Sequence, residues 1–197
     1  MLTIQIVDIL LNLPWIEIIA AFFSLIGVAM AMNKNYLTFS ISIIGTILYT
    51  YIFFQYQLYA DAGLQVIFIV QSIWGIMYWK KDEAIGNKEV VYAFGWNNSV
   101  YLFIATILAS VVLAFLLKQY TNASLPQVDA FLTCMSISGT WLLAKKFREN
   151  WIYWIFADTL YIALFWYKEM YITALLYFVF LGMAINGWRK WQVVKIA

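Results

Sequence analysis

Residues 151–167 read WIYWIFADTLYIALFWY, sixteen uncharged residues around one carboxylate. A helix needs roughly 17 to 25 apolar residues to cross the about 30 Å hydrocarbon core of a bilayer. Backbone groups cannot be left unpaired in hydrocarbon, so this stretch predicts a membrane-spanning helix. Working outward, the same pattern recurs over 171–189 on one side and over 126–143, 99–117, 62–79, 37–56 and 14–32 on the other, giving seven predicted spans. Composition agrees, since 65% of the 197 residues are apolar and 11% are charged, against roughly 25% charged in an ordinary soluble domain. The mean hydropathy is +0.81. The expected fold class is an all-α integral membrane protein.

The same composition removes several functions. There is no histidine, which excludes His-based triads, His metal sites and His proton shuttles, and the single Cys134 provides neither an internal disulfide nor a CxxC motif. No metal centre, cofactor site or nucleophile and base pair can be assembled, so no catalytic residue is assigned and an enzyme is not expected. A net charge of +2 is too small and dispersed for a nucleic-acid surface.

Lysine and arginine set the orientation. Ten of the twelve lie on one side of the seven spans: Lys34, Lys80, Lys81, Lys88, Lys145, Lys146, Arg148, Arg189, Lys190 and Lys195. Only Lys118 and Lys168 lie on the other. The bias predicts the N-terminus outside and the C-terminus in the cytoplasm. Residues 1–13 hold no positive charge and read as a short interfacial helix, with Pro14 opening the first span.

The chain repeats itself. Residues 15–79 align without a gap on 127–191 at a constant offset of 112, with fourteen identities that include Ser24/Ser136, Gly27/Gly139, Lys34/Lys146, Tyr49/Tyr161, Gly75/Gly187 and Trp79/Trp191. A three-span unit reverses the side of the chain, so two parallel copies require one linking span between them. The predicted organisation is 3+1+3: an interfacial segment 1–13, a first bundle 14–79, a loop and linking helix 80–125, a second bundle 126–191 and a tail 192–197. Sites in such proteins lie near the midplane between the repeats.

At that depth Asp158 stands out, eight residues into its span, where an ionised group costs about 2.5–3.5 kcal/mol on the insertion scale. No lysine or arginine lies at that depth in any span to offset it. One reading is a neutral carboxyl bonded between helices; the other is that the countercharge arrives with a cationic substrate, or that the group carries a proton. Trp151, Trp154, Asp158 and Tyr161 follow at intervals of 3, 4 and 3 and share one helix face. Aromatic faces around a carboxylate suit a flat cationic ring, although Trp151 equally suits the interfacial aromatic belt. In the third span Gln65, Gln71 and Trp74 are candidates, as are Tyr177 and Asn186 in the seventh. Thr46, which corresponds to Asp158 in the repeat, and Tyr49 should face the site from the second span. For each of these, helix packing is the competing reading.

Gln57-Leu58-Tyr59-Ala60, Leu64-Gln65, Gly75 and Trp79, followed by Glu149-Asn150-Trp151, Trp154, Asn186-Gly187 and Trp191, form a set that resembles the PnuC family of bacterial vitamin transporters over essentially the whole chain. The resemblance implies a fold like that of the sugar transporters called SWEETs, with two three-helix bundles joined by a linking helix. It implies a multi-pass protein of the bacterial inner membrane that carries nicotinamide riboside by facilitated diffusion, without ion coupling, while a cytoplasmic kinase traps the vitamin. Related branches carry thiamine or riboflavin. Gln65, Trp74, Asn150, Trp151, Trp154 and Asn186 match the family's binding positions. Asp158 departs from the pattern, because members associated with nicotinamide riboside tend to carry an amide there and other branches an acid. Nicotinamide riboside and thiamine both hold a positively charged aromatic ring, and riboflavin is neutral. The sequence leaves open the choice of vitamin, proton coupling and homo-oligomerisation; beyond the vitamin and the kinase, the partner expected is membrane lipid.

Overall fold

The computed structural model describes residues 2–55, 59–86, 90–121, 125–167 and 171–193. Among these the chain forms seven helices and no strand: α1 (Leu2–Met32), α2 (Leu37–Gln55), α3 (Tyr59–Ala84), α4 (Trp96–Tyr120), α5 (Pro126–Ala144), α6 (Asn150–Tyr167) and α7 (Tyr171–Lys190). The seven predicted spans each fall on one helix. The N-terminal end differs from expectation, because α1 runs unbroken through Pro14. A proline costs one backbone bond, which membrane helices tolerate. With 31 residues, α1 is about 46 Å long and so extends beyond the hydrocarbon.

The linking helix shows what solvent the surface is built for. Ile104, Leu108, Val111, Val112 and Phe115 of α4 are exposed, while its buried residues are Thr106 and Ser110. Apolar outside and polar inside is the arrangement a bilayer demands. By length and composition α4 can cross a membrane unaided. The Thr106 and Ser138 hydroxyls, 2.8 Å apart, join it to α5.

The other six helices form a closed ring. α1 packs on α2, α2 on α3, α3 on α5, α5 on α6, α6 on α7, and α7 back on α1, with α4 outside against α5. The repeat is visible in backbone detail. Lys34 and Lys146, 112 residues apart, are the two non-glycine residues with positive φ among the described residues, at 53° and 56°. Both close the first helix of their bundle in the same way. Asn35 N–H bonds Met30 O at 3.1 Å and Lys34 N–H bonds Ala31 O at 3.0 Å; Phe147 N–H bonds Leu142 O at 3.0 Å and Lys146 N–H bonds Leu143 O at 2.9 Å. This crossed pair of bonds is the Schellman cap, usually built on glycine.

Packing repeats as well. The Phe39 ring lies on Gly75, where an added Cβ would be 2.6 Å from it, and the Trp151 ring lies on Gly187, where a Cβ would be 2.5 Å away. Each bundle then reaches into the other. The Trp79 indole donates to Ala144 O at 3.1 Å, and the Trp191 indole donates to Ala31 O at 3.2 Å. With Phe39, Trp151 and Val91 these rings fill the centre of the ring at the lysine-rich end.

The segment after α3 is sewn to the turn between α5 and α6. Tyr92 N–H bonds Lys146 O and Arg148 N–H bonds Tyr92 O, both at 3.0 Å. The Glu149 carboxylate accepts the Phe94 and Gly95 N–H groups at 2.9 and 3.2 Å. Lys146 pairs with Asp82 at 3.1 Å, both buried. Burial, and then the charge of Asp82, hold the Tyr92 phenol above its ordinary pKa.

Candidate functional site

Inside the ring lies a cavity of about 1370 Å³. All six ring helices line it, and Leu113, Leu117 and Tyr120 of α4 reach its far end. It extends from Gly63, Thr121 and Asp129 at that end to Phe39 and Trp151, where the tryptophan cluster closes it. The expected face of α6 turns inward, since Trp151, Trp154, Asp158 and Tyr161 all line the cavity. The 3-4-3 spacing continues to Phe165, another lining residue.

Asp158 is 3% exposed and makes no ion pair or hydrogen bond within the described residues. Among the described residues, no lysine or arginine lines the cavity. A carboxyl so placed has no cationic side chain beside it, and its ionised form is costly at this depth unless something else completes it. Toward the closed end stand Trp154, whose indole lies 3.3 Å from where a Cβ on Gly139 would be, and Trp151, whose buried indole N–H has no acceptor among the described residues. On the other side is an aromatic wall. The Tyr161 and Tyr177 rings are 4.5 Å apart, Phe165 stacks on Tyr177 at 5.2 Å, and Phe180 meets Tyr177 edge-on at 5.7 Å. The site therefore offers one carboxyl between two sets of π faces, which in its ionised form is the chemistry that receives a flat cation.

Thr46 and Tyr49 line the cavity from α2, and Gln65 lines it from α3. The repeat thus brings Thr46 and Asp158 to one cavity. The remaining four expected residues do not line it. Gln71 turns to α5 and donates to Ile137 O at 3.1 Å. Trp74 lies under the Lys145 ammonium at 4.8 Å. Asn150 is fully buried at the start of α6, donating to Phe147 O at 2.7 Å. Asn186 is exposed. The cavity face of α7 runs through Tyr177, Phe180 and Ala184, and two residues beyond Ala184 is close to the opposite side of a helix. The side chains of Glu17 and Thr173 lie outside the described residues.

One feature of the lining was overlooked in the sequence. Asp129, Thr133, Ser136 and Thr140 face the cavity from α5 at intervals of 4, 3 and 4. Small hydroxyl residues in a span read as packing residues, but this spacing was a usable signal for a polar track.

A closed ring of membrane-spanning helices around a central chamber, built from two parallel repeats, is the architecture of a membrane transporter of the parallel-repeat type. Residues 14–193 match the family described as Nicotinamide mononucleotide transporter, and the chain belongs to that family. Its relatives include the nicotinamide riboside transporter PnuC of Escherichia coli strain K12, 24% identical over 205 residues that cover 91% of this chain and 86% of the relative. The protein of the same name from Neisseria mucosa is 24% identical over 193 residues, covering 92% and 73%. The crystal structure of the vitamin B3 transporter PnuC has the same fold, with a TM-score of 0.69 and 20% identity over 96% of this chain and 86% of that one. The chain is thus a multi-pass membrane transporter.

Proposed function

We propose that this protein carries nicotinamide riboside into bacterial cells across the inner membrane by facilitated diffusion. The buried carboxyl of Asp158, in a cavity that no lysine or arginine lines among the described residues, carries this reading. The family description speaks of the mononucleotide and the relatives' names of the riboside. The two differ by a phosphate. A phosphate entering this cavity would meet two acidic side chains, Asp129 and Asp158, and no cationic one among the described residues, whereas the riboside presents a positive pyridinium and neutral hydroxyls. Asp158 neutralises the ring, Trp151 and Trp154 stack with it, and Gln65 and the α5 hydroxyls receive the ribose and amide. The π faces of Tyr49, Tyr161 and Tyr177 complete the enclosure.

The lysine-rich end, where the tryptophans close the cavity, is the cytoplasmic end, which puts the N-terminus outside. The protein converts nothing; a cytoplasmic kinase that phosphorylates the vitamin keeps uptake running downhill. Thiamine also has a cationic ring and is the rival cargo that Asp158 admits.

Purified protein in liposomes, supplied with labelled nicotinamide riboside, its mononucleotide, thiamine or riboflavin, tests the assignment. Saturable riboside uptake, with no competition from the mononucleotide or riboflavin, is expected. Equal uptake of riboside and mononucleotide would show that charge does not select the cargo, and thiamine as the preferred substrate would move the assignment to that vitamin.

A further inference from the structure

The two bundles meet along two seams, α3 against α5 and α7 against α1. The repeat makes these equivalent in backbone, but their side chains differ. At mid-helix in the α3/α5 seam, Gln71 donates across to Ile137 O at 3.1 Å. Its counterpart in the other seam is Met183, which has no group to donate. Nearer the lysine-rich end, the Lys145 ammonium sits 4.8 Å over the Trp74 ring and 4.6 Å over the Tyr78 ring, and the neighbouring Lys146 is buried against Asp82 at 3.1 Å. The counterparts of Lys145 and Tyr78 are Asn33 and Lys190, which meet in one exposed hydrogen bond of 3.1 Å.

The chain itself adds to the difference. The segment leaving α3 crosses the α3/α5 seam and pairs with the turn after α5, through Tyr92 with Lys146 and Arg148 and through Phe94 and Gly95 with Glu149. Bonds buried from water persist through a rigid-body motion, and exposed ones exchange readily with solvent.

We propose that the α3/α5 seam is the hinge of the transport cycle and that the α7/α1 seam is the one that parts. This rests on the reading of the protein as a carrier. On it, the Trp191 bond to Ala31 O breaks each time the closed end opens, while the equivalent Trp79 bond to Ala144 O survives. The second bundle swings about a fixed edge, and the cavity opens on one flank.

The test uses a Cys134→Ser background, because Cys134 is the single native thiol. Two cysteine pairs are introduced, Asn33→Cys with Lys190→Cys across α7/α1, and Tyr78→Cys with Lys145→Cys across α3/α5. Each is bridged by a short reducible bis-thiosulfonate. Before bridging, both variants should take up nicotinamide riboside within about twofold of the background, which checks the carrier reading by itself. Bridging α7/α1 should lower uptake roughly tenfold or more, restored by reductant, while bridging α3/α5 leaves it within about twofold. Equal losses from both bridges, or a loss confined to α3/α5, overturn the proposal. Spin labels at the same four positions give a readout independent of cargo and of turnover. A broad or bimodal distance distribution across α7/α1 with a single narrow one across α3/α5 supports the hinge, and the reverse refutes it.

Discussion

At Lys34 and Lys146 the two bundles turn the same corner with the same residue and nearly the same φ. Lys146 is buried against Asp82, whereas Lys34 is half-exposed at the protein's edge. The same division runs through the cavity. Where the first bundle presents Thr46, Phe39 and Ser42, the second presents Asp158, Trp151 and Trp154 at equivalent positions. Along α1 and α5, Ala21 and Val28 are answered by Thr133 and Thr140. Duplication supplied two copies of one scaffold. One holds threonine, serine and phenylalanine at these positions, and the other holds the carboxyl and the indoles. A ligand in the cavity therefore leans on the second bundle, although the backbone around it is close to symmetric.

The largest effect that separates the bundles should come from their shared lysine. Lys146→Met leaves the Asp82 carboxylate buried without its partner, a change that costs about 3–5 kcal/mol. Detergent unfolding should show it, and adding Asp82→Asn should recover most of the loss. A Lys146→Met protein as stable as the parent would mean that the ion pair contributes nothing to the α3/α5 seam.

The cavity gives the next comparison. Asp158→Asn keeps the shape and removes the charge, so affinity for nicotinamide riboside should fall about 10- to 100-fold, equivalent to about 1.5–3 kcal/mol for a lost charge-assisted contact. Thr46→Ala, at the equivalent position, should change it no more than about twofold, since its hydroxyl already donates to Ser42 O at 2.8 Å. Tryptophan fluorescence during titration measures both. Equal effects would break the asymmetry, and an undiminished affinity in Asp158→Asn would remove the basis for a cationic cargo.

The glycine seats test packing. Adding a methyl at Gly187 drives it into the Trp151 ring, and at Gly75 into the Phe39 ring. Each should cost about 1–3 kcal/mol, the usual range for an overfilled core. Because the first bundle works with phenylalanine at this point, Trp151→Phe should partly rescue Gly187→Ala in stability while leaving binding weak. Rescue of both together would place Trp151 among the packing residues alone.

These comparisons show what the sequence disclosed. The seven spans and the repeat were legible because hydrocarbon imposes a length, and because the glycines, Lys34/Lys146 and Trp79/Trp191 answer requirements of backbone and packing that recur in each copy. The inward face of α6 was legible from helical spacing around one misplaced charge. Gln71 and Asn186 were harder. An amide in a span signals a bond but not its direction, and Gln71 spends its donor on the Ile137 carbonyl. Asn186 matched a family pattern, yet the rotation of α7, fixed by Gly187 against Trp151, turns it outward. Helix rotation depends on contacts between distant segments, which one sequence does not display. The α5 hydroxyls went unnoticed for the opposite reason, since serine and threonine satisfy themselves on their own helix, as Thr140 does with Ser136 O at 2.9 Å.

The smallest effect is the most diagnostic of the duplicated turn. Left-handed backbone costs a residue with a Cβ roughly 1–2 kcal/mol, and glycine escapes that cost. Lys34→Gly relieves it at a half-exposed position, so the loss of the side chain there should leave a net change within about 1 kcal/mol of zero. Lys146→Gly relieves the same strain and also strands Asp82, so its net effect should stay clearly destabilising. The difference between the two glycine variants, measured in one detergent at one temperature, compares what the two lysine side chains contribute once the backbone that both turns share is taken out. If the two variants behave alike, the turn alone explains why lysine stands at both places, and the contrast between the bundles is confined to the cavity.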